Sequence, residues 1–356
     1  MNNKKKVLFN AAIFILVFAL TLWGVFHGED LGEMRDAIYE CRLVWLLPAV
    51  VCVFIFIWGE SMIIWDMMCS YGIKLKKGIC FLFSSVGFFF SCVTPSASGG
   101  QPMQIYFMKK EKIPIPISTV VLMIVTITYK MVLVIIGLGI VLFARGFMEQ
   151  YLGGILPVFY LGLGLNIFCV TFMILLVFHP FLAKQILVKG LWILEKLHLL
   201  KHREGRLTKL EASMDMYHET ADYMRGHSWL MIRVLAITFV QRIALFAVTC
   251  FVYRAFGLSG TGWMTVLTLQ SVISVSVDML PLPGGMGISE TLFLAIFPPV
   301  FGDLILPGMV LSRGLGYYTE LLVSAVFTLV SVVVFERRVK RRQEAEKMNG
   351  RRCAAR

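Results

Sequence analysis

The sequence predicts an all-α integral membrane protein with six crossings and two re-entrant hairpins of broken helix, arranged like an inverted repeat. Three observations carry this expectation. Apolar residues make up 58% of the 356 residues and charged residues only 16%, with a mean hydropathy of +0.78. A soluble fold could not cover so much apolar surface with so few charges, and a disordered chain would lack the hydrophobicity. Apolar runs long enough for a ~30 Å hydrocarbon layer recur along the chain. Two further runs, one in each half, are interrupted by proline and glycine.

Taken in order, Lys4, Lys5 and Lys6 precede the first run, Val7–Phe26. No small-x-small cleavage pattern comes after it, so it reads as a retained helix rather than a signal peptide. The other crossings are Leu43–Ile64, Ile117–Phe143, Ile155–Phe178, Trp229–Phe256 and Leu304–Phe335. The broken stretches are Ile79–Met108 and Trp263–Phe301. The first is interrupted from Thr94 to Pro102 and the second from Leu280 to Gly287, where prolines lack donors and paired glycines remove helical bias. Residues 1–342 thus form a polytopic membrane domain. Its first half is 1–180 with the hairpin 79–108, and its second half is 229–335 with the hairpin 263–301. Between them lies a cytoplasmic segment, 181–228, whose first part, Phe181–His198, is amphipathic and suited to the inner membrane surface. Residues 336–356 form a basic cytoplasmic tail.

The net charge of +12 is distributed by topology. With the broken stretches entering and leaving on one side, 26 Lys and Arg fall in segments facing one compartment and three, Arg35, Arg42 and Arg145, in segments facing the other. The positive-inside rule then puts both termini in the cytoplasm. It also makes the charge an attraction for anionic headgroups rather than a nucleic-acid footprint. The first hairpin enters from the cytoplasm and the second from outside.

Non-helical backbone at membrane depth is tolerated where it is buried in protein or lines a wet cavity. At the first break, Thr94, Ser96, Ser98, Gly99, Gly100, Gln101 and Gln104 are candidate ligands for an anionic headgroup at a helix amino end. At the second, Gly284 and Gly285 allow close approach, and Ser289 and Glu290 start the next helix. The alternative is plain turns. Intramembrane charges are costly unless paired or hydrated. Lys130, Arg242 and Arg313 are candidate phosphate contacts, with Tyr317 on the helical face of Arg313 and Glu320. Glu60, Asp278, Glu290 and Glu320 are candidate carboxylates facing a cavity. Internal ion pairs that lock helices together are the competing reading. Arg233, Arg254 and Asp66 lie near helix ends and reach the interface. The eight cysteines show no Cys-x-x-Cys pair and read as small apolar fillers. All six histidines fall in loops or at interfaces. No metal site and no cofactor is expected, and no hydrolase elbow, P-loop or His-Glu-x-x-His motif is present.

The stretch Thr94–Gln104, running on into Tyr106, Lys109 and Lys110, resembles the first hallmark of the lysylphosphatidylglycerol synthase transmembrane, or flippase-like, family. Leu282–Glu290 is similar to the second, and Met309–Glu320 also fits. The resemblance spans roughly Lys4 to Arg342. It implies a bacterial or archaeal cytoplasmic-membrane protein that handles polar lipids, aminoacylated phosphatidylglycerol among them, with no catalytic residue in the membrane part. In larger members a separate cytosolic domain transfers lysine from its tRNA. That domain is expected to be absent here, since the chain stops at Arg356. Expected partners are membrane lipids, anionic or aminoacylated, with a separate synthase or a second copy of the chain admitted and no nucleic acid. Two rival readings are lysyl transfer to phosphatidylglycerol and secondary transport of a small polar solute.

Overall fold

The computed structural model describes residues 36, 38–94, 97–179, 185, 189 and 206–354. The first expected crossing Val7–Phe26, Ser96, and nearly all of the amphipathic stretch Phe181–His198 lie outside the described residues. Among those described there is no strand. The principal helices are α1 (Leu46–Ser70), α2 (Lys77–Val93), α3 (Gly100–Lys110), α4 (Ile115–Phe143), α5 (Leu156–Phe178) and α6 (Arg206–Gly226). They continue with α7 (Ser228–Ala255), α8 (Trp263–Val277), α9 (Ile288–Ile296), α10 (Ile305–Arg313) and α11 (Thr319–Ala354). Five described segments are long and apolar enough to cross a membrane: Leu43–Ser70, Ile115–Phe143, Leu156–Phe178, Ser228–Ala255 and Pro298–Glu344. Their outer faces carry exposed Leu47, Val51, Phe168, Phe172, Leu322 and Val326, the surface a lipid-embedded protein presents.

Both broken stretches consist of two short helices flanking irregular backbone. Helix α2 ends at Val93 because Thr94, preceding a proline, is extended (φ −114°, ψ 144°). Ala97 then turns through φ 53°, a left-handed conformation that costs a non-glycine residue about 1–2 kcal/mol. Helix α3 restarts at Gly100 with Pro102 in its first turn, where the missing donor does no harm. In the second stretch α8 ends at Val277, and Gly284, Gly285 and Gly287 take φ of 57°, 65° and 84°. Helix α9 then begins with the Gly287 N–H donating to Glu290 Oε2 at 2.8 Å.

The same order, long helix then broken pair then long helix, occurs twice: α1, α2–α3, α4 and α7, α8–α9, α10–α11. Helices α1 and α7 lie along each other, burying Val53, Phe56, Ile57 and Val248. The first helix of each broken pair packs within its own half, on α1 for α2 and on α7 for α8, and also reaches across to the other half. Helix α2 packs on α11, while α8 packs on α4 and α5.

The contact of α5 with α8 depends on Gly162. A methyl group there would lie 2.5 Å from Val275 O and 2.6 Å from Ser276 Cα, both backbone atoms. Asn166 Nδ2 donates to Gly162 O at 2.9 Å and to Val275 O at 3.2 Å across the same crossing. Replacing Gly162 by Val is expected to cost about 3 kcal/mol, the upper end for overpacking, because helix backbones must separate. Thermal unfolding in detergent checks this. Gly164→Val, at an exposed position with open space around it, is expected to leave the midpoint unchanged.

Helix α6 is polar in overall composition, yet it buries one face. Met214, Tyr217, Ala221 and Met224 of α6 are buried, and their spacing of three, four and three makes one helical face. That face docks on α4 and α5. Tyr217 donates to Leu176 O at 3.3 Å, and burial pushes its phenol up to about 12. Tyr71 donates to Thr220 O at 2.5 Å and Tyr223 to Ser70 O at 2.8 Å, fixing α6 to the end of α1. The basic tail is also anchored to protein. Glu111, whose side chain is only 3% exposed, accepts from Arg342 Nη2 at 2.5 Å and pairs with Arg338 Nη1 at 3.3 Å.

The final long run is not one uninterrupted α-helix. Between α10 and α11, Gly314–Tyr318 forms a π turn, which widens the helix by one residue and rotates α11 relative to α10.

Candidate functional site

A cavity of about 520 Å³ lies between the two breaks. That volume falls within the range of small-molecule sites. The first break and α3 supply Ala97, Ser98, Gln101 and Gln104, and the second supplies Asp278, Gly284, Gly285 and Ser289. Glu60 enters from α1, Tyr129 and Lys130 from α4, and Arg242 from α7. Arg313, Tyr317 and Glu320 enter from the π turn and its flanks. The remaining wall is largely apolar, with Phe88, Leu122, Val125, Leu245, Val248 and Ile273. The π turn does not separate Arg313, Tyr317 and Glu320, which the three-and-four spacing put on one face.

Of the residues proposed from sequence, Thr94, Gly99, Gly100 and Glu290 are outside the cavity wall. Thr94 Oγ1 accepts from the Gly99 N–H at 2.9 Å and donates to Phe90 O at 2.6 Å, closing the turn. Gly100 lies against Ser91 and the Gly87 carbonyl, with no room for a side chain. The Thr94–Gly99 hydrogen bond and the tight packing of Gly100 shape the break. Glu290 stands one step behind the wall, binding Arg313 Nε at 2.8 Å. Ser96 is outside the described residues.

The bases expected to meet phosphate are already engaged. Asp278 Oδ2 is 2.6 Å from Lys130 Nζ, and Asp278 Oδ1 is 3.4 Å from Arg242 Nη2. The Arg242 guanidinium also lies 3.3 Å from the centre of the Tyr129 ring, a cation–π contact on a 3% exposed side chain. Arg313 adds a hydrogen bond to Gly284 O at 3.0 Å and sits 4.8 Å from the centre of the Tyr317 ring. Tyr317 in turn donates to Cys92 O at 3.0 Å, so one side chain joins both breaks.

Glu60 and Glu320 are different. Glu60 Oε1 accepts from Gln104 Nε2 at 2.7 Å, and Glu320 Oε1 faces the Cys92 thiol at 3.6 Å. Both carboxylates are buried, at 8% and 9% exposure, and neither has an ion-pair partner among the described residues. Uncompensated carboxylates in so apolar a shell are expensive. The set as a whole has three bases against four carboxylates. Lys130 and Arg242 share Asp278, which leaves a local surplus of positive charge there. Two buried polar atoms of wall residues, Arg242 Nε and Ser312 Oγ, have no hydrogen-bond partner among the described residues.

Sequence reasoning missed Tyr129, Ser312 and Cys92 as wall residues. Tyr129 adjoins the singled-out Lys130, and an aromatic beside an intramembrane cation is the hint that was there. Cys92 resembles any other buried cysteine until Glu320 is seen beside it. Among the described residues no group of three or more His, Cys, Asp or Glu is arranged to hold a metal ion.

The family model described as Lysylphosphatidylglycerol synthase TM region matches residues 7–324, a stretch that contains both breaks and the whole cavity wall. No curated protein matches the chain.

Proposed function

As this multi-pass membrane chain belongs to the lysylphosphatidylglycerol synthase TM-region family, we propose that it moves a polar lipid between leaflets, binding the headgroup in the cavity between two re-entrant breaks. The lipid is an aminoacylated anionic phospholipid such as aminoacyl phosphatidylglycerol. The observation that carries this reading is the pair of buried carboxylates, Glu60 and Glu320, facing the cavity with no ion-pair partner among the described residues. An ammonium about 4 Å from a carboxylate gains on the order of 4 kcal/mol at an effective dielectric near 20. The phosphate suits the positive surplus at Lys130 and Arg242, where Arg242 Nε still has a donor to offer. A headgroup with one phosphate and two ammonium groups carries one net positive charge, which balances a cavity of three bases and four carboxylates. The apolar remainder of the wall accommodates glycerol and the first acyl carbons.

The test uses vesicles of phosphatidylglycerol containing lysyl-phosphatidylglycerol, with an impermeant amine reagent reporting exposure. The intact chain is expected to expose inner-leaflet amine lipid. Glu60→Gln and Glu320→Gln should each lower the rate about tenfold or more. Rates equal to those of protein-free vesicles, with folded protein, would overturn the proposal. So would transfer of label from charged lysyl-tRNA to lipid by this chain with no transfer between leaflets, which favours the lysyltransferase reading.

A further inference from the structure

We propose that Glu60 and Glu320 carry protons, so that the chain exchanges protons for the ammonium groups of its lipid. The inference rests on the lipid reading above and adds its energy source. Two observations drive it. Each carboxylate is buried and, among the described residues, hydrogen-bonds only a neutral side chain, Gln104 for Glu60 and Cys92 for Glu320. Every nearby base is held by another acid, Lys130 and Arg242 by Asp278 and Arg313 by Glu290. A loaded site is neutralised by the headgroup. An empty site has one more carboxylate than bases and no cation paired directly with these two groups among the described residues, and in a low-dielectric shell a carboxyl group takes up a proton instead.

Among the described residues, titratable and charged groups face them from several packed elements. Helix α1 presents Glu60 itself, α2 presents Cys92, and α3 the neutral Gln104. Tyr129 and Lys130 come from α4 and Arg242 from α7. The second break contributes Asp278, with Glu290 behind it. Arg313 comes from the end of α10, Tyr317 and Tyr318 from the π turn, and Glu320 from α11. Among the described residues no histidine, the usual near-neutral group, lines the wall.

The exchange balances. Each carboxylic acid gives its proton to water in the cavity as an ammonium arrives, and the resulting carboxylate keeps the ammonium as its counter-ion. On release the carboxylate takes a proton from the compartment it then faces. Lipid therefore travels against the protons and collects in the leaflet on the acidic side.

The experiment imposes a gradient of one pH unit on the vesicles described above and reads the distribution of amine lipid at steady state. A shift of about tenfold towards the acidic side is expected for each proton exchanged, since one pH unit is worth a factor of ten. Transfer that proceeds at the same final distribution with and without the gradient overturns the exchange while leaving translocation intact. A separate measurement needs no transport. The detergent-solubilised chain, titrated with lysyl-phosphatidylglycerol in weak buffer, should release protons, and release should fall in Glu60→Gln and in Glu320→Gln. Binding without proton release overturns the exchange. If no lipid moves in any vesicle, the translocase reading fails, and release on binding still decides whether these carboxylates trade protons for ammonium.

Discussion

Replacing Asp278 by asparagine is expected to be the most damaging single polar change in the molecule, costing about 3–5 kcal/mol and abolishing lipid transfer. Its carboxylate is 2.6 Å from Lys130 and 3.4 Å from Arg242, on two different helices. An amide keeps the shape and removes the charge. Two cations then face each other in an apolar shell, and a buried charge left without its partner is penalised far more than a missing pair. The sharpest check is a double-mutant cycle measured by thermal unfolding in detergent. Lys130→Met combined with Asp278→Asn should recover a substantial part of the loss, since one of the uncompensated cations goes with the acid. Additive losses would mean that the pair contributes little and that Asp278 acts through its backbone position.

The second large effect is expected at Gly284. This residue has φ 57°, where a Cβ costs about 1–2 kcal/mol by itself. A methyl group would also overlap the Tyr317 ring. The ring has to leave, and with it goes the Tyr317 hydrogen bond to Cys92 O that joins the two breaks. The Arg313 contact to the Gly284 carbonyl is disturbed at the same time. Gly284→Ala should therefore lower lipid transfer about 100-fold, with a stability loss of about 3 kcal/mol. In a Tyr317→Ala background the overlap disappears. There the same substitution should cost only the backbone term, about 1–2 kcal/mol. An equal cost in both backgrounds would show that the ring is not what the glycine accommodates.

Much of this arrangement is legible in the chain because membranes impose blunt rules. The apolar runs behind α1, α4, α5 and α7 are long, and the prolines at 95, 281 and 283 cannot sit inside a helix. Glu60 and Glu320 stand out because an acid in such a run needs a reason. What the chain conceals are pairings made by tertiary structure. Asp278 meets Lys130 across 148 positions, and nothing in either neighbourhood names the other. Whether Thr94 caps its own turn or faces a ligand depends on one side-chain torsion. The π turn leaves no stronger mark than two glycines, Gly314 and Gly316. The docking face of α6 was readable, with Met214, Tyr217, Ala221 and Met224 in helical register, but an overall polar composition obscured it.

The last helix has a mechanical meaning beyond its length. Glu320 and Arg338 are eighteen residues apart on α11, about 27 Å along one continuous rod. One end borders the chamber. The other grips Glu111 through Arg338 and Arg342, just after α3, the helix that carries Gln104 and so holds Glu60. The rod and α3 therefore close a stiff frame around both acidic groups. A tilt that parts them at the chamber strains the guanidinium clasp on Glu111, and whatever loosens the clasp at its far end frees the frame to tilt.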